Sequence, residues 1–350
     1  MLMAAGGSFV VTIFGTPFLI RWLRAHGVGA QIRDDGPIEH PHIAKAGTPT
    51  MGGIAIVVAV VVGYLFAHIR RKSVAFTTSG YALLALIVGL GIVGYIDDWL
   101  GVRARRNLGL RKRGKTFGIV VIAAAFAWLA VSFVKTDTHL SFTQPLGLDF
   151  GKVGMLVWIV LVIYATTNAV NFTDGVDGLA AGSSALTFAA FMIIAFTEFR
   201  HPDIYRVLSA QALDQAVVAA AMFGACAGFL WWLGSQWFVG SENGYVTINQ
   251  GIPQDLAGIP MNRVSTQTAL PVASLPYYDQ QQLALTIDAG TEAEAQRIVA
   301  DLEKKAAACT AEPVPLGCPP STSTSPTQPT PGASATSLLS RATASASPTR

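Results

Sequence analysis

Charge is scarce in this sequence. Only 13% of its residues are Asp, Glu, Lys or Arg, against roughly 25% in an average soluble domain, and that deficit excludes a chain with a solvated surface all round. Apolar residues fill the gap, at 51% of the chain with a mean hydropathy of +0.46, which is the composition of an integral membrane protein. Cysteine is nearly absent, with three in 350 residues. Cys226 lies in an apolar run, the default position of a buried thiol. Cys309 and Cys318 stand in a polar tail at a spacing that fits neither a zinc site nor a redox motif. No cleavable leader is expected, since the first apolar run leads to Arg21 and Arg24 and not to small residues. Nor does one sign of charge dominate. The net charge of +3 resides mostly in one loop, so it points to orientation and phosphate contact, with no nucleic acid as partner.

Seven apolar segments are long enough, or nearly so, to cross a hydrocarbon core that needs about 20 residues. They run Ser8–Leu23, Gly52–Ile69, Tyr81–Ile96, Phe117–Val134, Val153–Thr166, Leu179–Phe196 and Ala216–Trp232. The chain therefore reads as an all-α polytopic protein of the bilayer over residues 1–233, followed by a small α+β segment over 234–318 and a disordered tail over 319–350. Glycines inside the spans (Gly63, Gly89, Gly91, Gly94, Gly224, Gly228) suit close helix packing.

Orientation follows from the basic residues. Arg103, Arg105, Arg106, Arg111, Lys112, Arg113 and Lys115 follow the third segment, and Arg21, Arg24, Arg33 and Lys45 follow the first. Both loops are expected to be cytoplasmic, although Arg70, Arg71 and Lys72 run against the tendency. This puts three polar stretches, Arg33–Gly53, Asp97–Lys115 and Asn168–Gly178, on one cytoplasmic face of the plasma membrane.

Those stretches hold the candidate site. Asn168, Asn171, Asp174 and Asp177 crowd the sequence NAVNFTDGVDGL at the end of an apolar segment. Asx-Gly pairs are ordinary turn chemistry, but ionisable groups beside a span are costly unless used. Asp97 and Asp98 repel each other unless a cation or proton relieves them. They are either solvated helix-end acids or a site for a hard divalent cation and substrate phosphates. The basic loop behind them serves as a phosphate contact, as a membrane anchor, or as both. In the first loop, Lys45 and Thr50 are candidate nucleotide contacts. His40 and His42 read as solvated in the absence of further ligands.

Taken together, AKAGTPTMGG (Ala44–Gly53), the IDD of Ile96–Asp98 with NLGL and KRGK behind it, and NAVNFTDGVDGLA resemble the phospho-N-acetylmuramoyl-pentapeptide transferase family in its actinobacterial form. The resemblance covers Met1 to about Trp232. It implies transfer of phospho-N-acetylmuramoyl-pentapeptide from its UDP carrier to undecaprenyl phosphate, with release of UMP and use of Mg2+. It further implies Asp97, Asp98 and Asp174 as catalytic residues, with Asp98 and Asp174 at the metal. Lys45, Thr50, Lys115, Asn168, Asn171 and Asp177 are then the substrate contacts. The bilayer and a homodimer are included among the partners. A sister family using N-acetylglucosamine phosphate is disfavoured by the AKAGTPTMGG loop.

The sequence also departs from that family. Gly101 occupies a position where a lysine is usual, with Arg103 nearby, and arginine does not replace lysine freely. After CAGFLWW (Cys226–Trp232) the family's later Asp loop and histidine-rich loop do not follow. Instead Gln236–Gln250 alternates as a hairpin turning at Asn243–Gly244, and Thr291 with Glu294 forms a capping box before a helix towards Ala308. FVGSENGYVTINQGIPQDLAGI resembles the extracytoplasmic region of actinobacterial metal-dependent Ser/Thr protein phosphatases, where Cys309 and Cys318 would pair. The expectation is a fusion near Trp232–Ser235. The rival reading is a catalytically incompetent membrane protein with an interaction or sensing tail.

Overall fold

The computed structural model describes residues 1–26, 51–70, 74–103, 109–141, 145–173, 178–205, 208–256, 259–310 and 317–319. Its first part is helical. In chain order come α1 (Leu2–Ala25), α2 (Gly53–Arg70), α3 (Thr78–Arg103) and α4 (Lys112–Leu129), the last extended by a π turn over Ala130–Val134. A short hairpin, β1 (His139–Ser141) and β2 (Pro145–Asp149), precedes α5 (Gly151–Thr173), α6 (Leu179–Arg200), the single turn α7 (Pro202–Tyr205) and α8 (Ser209–Gly234). Among the described residues six helices (α1, α3, α4 with its π turn, α5, α6 and α8) are long and apolar enough to cross a membrane, and α2 is apolar but shorter.

The helices outrun the apolar segments from which they are read. α3 continues past Asp97 and Asp98 to Arg103, and α5 continues through Asn168 and Asn171 to Thr173. α8 begins at Ser209 rather than Ala216, with Asp214 inside it. Hydropathy marks where the chain is greasy, whereas a helix ends only where a breaker or cap stops its hydrogen bonding. Asp97, Asp98, Asn168 and Asn171 thus stand near helix ends and not in loops.

α8 is the axis of the bundle. Of its most apolar window 56% is buried, against 6% for α5, and apart from Asp214 its buried face is Ala and Gly with Val217, Val218 and Cys226. Side chains this small let α1 lie directly on it. A Cβ on Gly228 would stand 2.8 Å from the Phe9 carbonyl oxygen, one on Gly63 of α2 would stand 2.7 Å from the Ala4 oxygen, and one on Gly224 would run into the Ala5 oxygen. Gly224 and Gly228 form a small-xxx-small pair, for which backbone-to-backbone packing is the driving contact in a bilayer. Gly89 and Gly91 play the same part against Ile122 and Val57, whereas Gly94 has nothing within 4 Å and contributes no such contact.

The hairpin between α4 and α5 lies outside the spans. His139 Nδ1 meets Asp137 Oδ1 at 2.7 Å. That hydrogen bond and the Asp137 charge raise the imidazole above its ordinary value, and the same hydrogen bond lowers Asp137. A raised histidine contributes its stabilisation fully below the ordinary imidazole value and loses it as pH rises through the raised one. Asp137→Asn is expected to return His139 to ordinary titration, which proton NMR of the imidazole would read.

The second part is an α+β module. β3 (Trp237–Glu242), β4 (Tyr245–Leu256), β5 (Ile259–Pro271) and β6 (Ile287–Ala289) form an antiparallel sheet in the order β5-β4-β3-β6. The expected hairpin is present, with Glu242 opposite Tyr245 and both turn residues at positive φ, Asn243 at 51° and Gly244 at 81°, as a type I′ turn requires. Helices α9 (Tyr277–Ala284) and α10 (Glu292–Cys309) close the core of Val239, Val246, Ile248, Leu275, Leu283 and Leu302. The Thr291 hydroxyl accepts from the Glu294 N–H at 3.2 Å, while the Glu294 carboxylate reaches back to the Gly290 N–H at 2.9 Å, one residue earlier than a capping box predicts. Cys309 and Cys318 are paired as a disulfide, Cα to Cα 5.5 Å. The disordered reading of the tail lies outside the described residues apart from Pro319.

Candidate active site

Three helix ends converge at one end of the bundle. α3 brings Asp97, α4 brings Lys115 in its first turns, and α5 brings Asn171 near its last residue. Lys115 Nζ donates to Asp97 Oδ2 at 2.8 Å and to Asn171 Oδ1 at 3.1 Å. The side chains of Lys115 and Asp97 are 27% and 21% exposed, so the ion pair is partly desolvated yet open to a ligand. The backbone N–H of Leu110 donates to Asp97 Oδ1 at 2.7 Å, so both carboxylate oxygens are held. The start of α4 adds the positive end of its dipole to the same place.

The sequence NLGL gains a physical reason here. A Cβ at Gly109 would run into the backbone and carboxylate oxygens of Asp97, so only glycine lets the chain close on that side chain and offer it the next N–H. This residue was missed by reasoning from residue chemistry, which does not score a glycine as functional. Its signal was its place three residues before a basic helix start and shortly after the Asp pair.

Other candidates fall out differently. Asp98, the next residue on α3, is exposed, about 100° round the helix from Asp97, so the two acids do not face one point from one side. Asn168 donates to the Tyr164 carbonyl of its own helix at 2.7 Å, and the Tyr164 hydroxyl meets Thr116 Oγ1 of α4 at 3.4 Å. The Asn168 amide is thus turned back on its own helix, and no hydrogen bond among the described residues ties it to Asp97 or Lys115. The Arg103 guanidinium lies over the Trp99 ring at 5.1 Å and is occupied in a cation–π contact. Lys45, Thr50, Asp174 and Asp177, with His40 and His42, lie outside the described residues. Gly178 is described, at φ +82°, and a Cβ on it would meet Ile252 of β4 at 3.0 Å and Leu230 of α8 at 3.6 Å. The α+β module therefore sits at the same end of the bundle as Asp97.

Among the described residues no three His, Cys, Asp or Glu side chains form a metal-binding group. The donor set nonetheless fits a hard cation. Oxygens of Asp97 and Asn171, from different helices, already converge on one positive centre, the Lys115 ammonium, and carboxylate with carboxamide oxygen is the ligand chemistry of Mg2+. The Lys115 ammonium held between them is a cation that can meet a phosphate and balance its charge.

Comparison with known proteins bears on what such a site serves. A family model described as glycosyl transferase family 4 matches residues 80–241, which include α3 to α6, α8 and the whole of the site just described. A signature described as phospho-N-acetylmuramoyl-pentapeptide-transferase signature 1 matches residues 45–57, spanning Lys45 and Thr50. The phospho-N-acetylmuramoyl-pentapeptide-transferase of Frankia alni is 44% identical over 248 residues, 66% of this chain and 68% of that protein. The protein of the same description from Saccharopolyspora erythraea is 42% identical over 246 residues, again 66% and 68%. That from Streptomyces griseus is 41% identical over 248 residues, with the same coverage. With two thirds of those relatives covered at this identity, and with the Asp97–Lys115–Asn171 junction inside the matched region, the chain belongs to the phospho-N-acetylmuramoyl-pentapeptide-transferase family.

Proposed function

We propose that this chain transfers phospho-N-acetylmuramoyl-pentapeptide from its UDP carrier to undecaprenyl phosphate, releasing UMP. The observation that carries the reading is the meeting of Asp97, Lys115 and Asn171 from three helices at one membrane end. In the step itself, an oxygen of the lipid phosphate forms a bond to the sugar-bearing phosphorus. The pyrophosphate bond breaks and its electron pair leaves with UMP. Such a displacement needs alignment and charge neutralisation more than covalent help. Lys115 supplies a cation at the phosphates, Asp97 orients Lys115 and takes up the lipid phosphate's proton where one is present, and Asn171 fixes the ammonium from the other side. Asp98 with Asp174 would hold Mg2+, which when bound adds positive charge at the pyrophosphate. Lys45, Thr50, Asn168 and Asp177 are proposed contacts for the rest of the nucleotide sugar.

The test is a transfer assay on the purified chain in detergent with both substrates and Mg2+, following UMP. Product formation that vanishes on chelation supports the reading. An inert chain beside an active Frankia alni relative assayed in parallel would overturn it in favour of an incompetent membrane protein with an interaction tail. Asp98→Asn is expected to raise the Mg2+ concentration needed for half-maximal rate by about 10-fold or more, as loss of a carboxylate near a metal typically does. An unchanged Mg2+ requirement would remove Asp98 from the metal.

The basic residues support a site on the cytoplasmic face, and the division into 1–233, 234–318 and 319–350, with a phosphatase-like second part, belongs to the same proposal. Because Gly178 and Ile252 pack together, the α+β module belongs to that same face. Thiols there are kept reduced by glutathione and thioredoxin. The Cys309–Cys318 disulfide is instead the state of an oxidising compartment, so maleimide labelling of fresh membranes tests the orientation: reaction without a reductant supports the cytoplasmic face for the module, and reaction only after reduction reverses it. The homodimer is to be read from cross-linking in the same membranes.

A further inference from the structure

The most concentrated polar feature that transfer chemistry leaves unused lies at the opposite end of the bundle. Asp214, in the second turn of α8, is fully buried. Thr77, just before α3, donates twice to its Oδ2, from the backbone N–H at 2.8 Å and from the hydroxyl at 2.7 Å. The Tyr64 hydroxyl of α2 donates to the same oxygen at 3.2 Å. His68, one turn further along α2, places Nε2 at 3.1 Å from Asp214 Oδ1, with both side chains at 0% exposure. That is ion-pair distance, although the ring is off the line of a hydrogen bond. Gly80 makes the approach possible, since a Cβ there would strike the Asp214 carboxylate and stand 2.6 Å from the Tyr64 hydroxyl.

Hydrogen-bond chemistry fixes the proton count. His68 Nδ1 lies 2.9 Å from the Tyr64 carbonyl oxygen. A carbonyl only accepts, so Nδ1 carries the hydrogen. A neutral imidazole with its hydrogen there would turn the Nε2 lone pair on a carboxylate oxygen 3.1 Å away, so that two acceptors face each other in a fully buried place. A second ring proton removes the conflict. Oδ2 accepts from three donors, the bonding of a carboxylate oxygen that carries no hydrogen of its own, so that proton belongs on the imidazole and the buried pair is neutral as a whole. An ionisable pair inside a membrane bundle is costly and is kept for a use.

We propose that His68 and Asp214 form a buried proton-binding site, an imidazolium–carboxylate ion pair in which the second ring proton of His68 holds α2, α3 and α8 together at the end away from the active site. The titratable groups at this joint, among the described residues, are His68 and Tyr64 on α2 and Asp214 on α8. On α3, Tyr81 stacks on Phe76, which in turn stacks on the His68 ring at 4.3 Å. Met1, which precedes α1, packs against the same core. When the proton leaves, an imidazole lone pair faces an anion and the joint opens. α3 is the helix that carries Asp97, and three of its four buried residues, Ser79, Gly80 and Ala82, lie at this joint. The proposal stands independently of the transfer reaction.

The experiment is 15N NMR of the full chain in detergent with labelled histidine, His68 being assigned by the signal lost in His68→Gln. At neutral pH both ring nitrogens of His68 are expected to carry protons, Asp214→Asn to remove the second, and the thermal midpoint to fall as alkali strips it from the wild type. A His68 with a single ring N–H at neutral pH, or a thermal midpoint that does not move as the second proton is lost, overturns the proposal. The wild-type titration decides by itself, so a variant that fails to fold does not leave the matter open.

Discussion

Asp97→Asn is expected to lower the rate of UMP release by about 10²–10⁴-fold, the range associated with removing a group that moves a proton in the transition state. The amide keeps the shape of the side chain and still accepts from the Leu110 N–H, the bond now 2.7 Å long. It loses the charge that draws Lys115 to 2.8 Å. A charge-assisted hydrogen bond becomes a neutral one, the ammonium is left with Asn171, and no carboxylate remains to take a proton. The measurement is the transfer assay on wild type and variant side by side, with Lys115→Met as companion. If both act through one junction, the double variant is expected to be little slower than the worse single one, because residues that act as a unit are not additive. An Asp97→Asn enzyme with undiminished Mg2+-dependent transfer would remove Asp97 from the chemistry.

Gly224→Ile is the second large effect, this time on stability. A Cβ at Gly224 would overlap the Ala5 carbonyl oxygen and stand 2.5 Å from the Ser8 hydroxyl, and the first of these is backbone that has no rotamer to change. Adding a branched side chain therefore forces α1 off α8 or shifts both. Overpacking a close-packed interior costs about 1–3 kcal/mol, occasionally more, and with a backbone obstacle the upper end is expected. The same substitution also takes α1 out of contact at Gly228 and Gly63, since one rigid helix makes all three contacts. Unfolding of the purified protein in a denaturing detergent series would read the loss. Gly94→Ala is the control: nothing lies within 4 Å of a Cβ there, so it is expected to be neutral or to stabilise α3 by about 0.5–1 kcal/mol through helix propensity. A Gly224→Ile variant as stable as Gly94→Ala would mean that α1 and α8 are not held by this contact.

Much of the fold was legible because its signals are local. Apolar length marks each span, Asn-Gly between alternating strands marks the β3–β4 turn, and Thr291 with Glu294 marks the start of α10. β5 escaped notice because Met261 and the run from Arg263 to Gln267 are exposed. An edge strand wet on both faces has no alternation to read. α8 was begun too late for a related reason: Asp214 interrupts a hydropathy count without interrupting a helix.

By itself the sequence determined the membrane class, the three polar stretches and the family motifs, since each depends on which residues stand near one another along the chain. The tertiary structure alone decided which groups meet. Lys115 chooses Asp97 and Asn171, Gly109 makes room for Asp97, Arg103 is spent on Trp99, and Asp214 finds His68 and Thr77 far away in sequence. Charge partners are set by distance in space, and in a bundle that distance is fixed by where glycines allow the helices to cross.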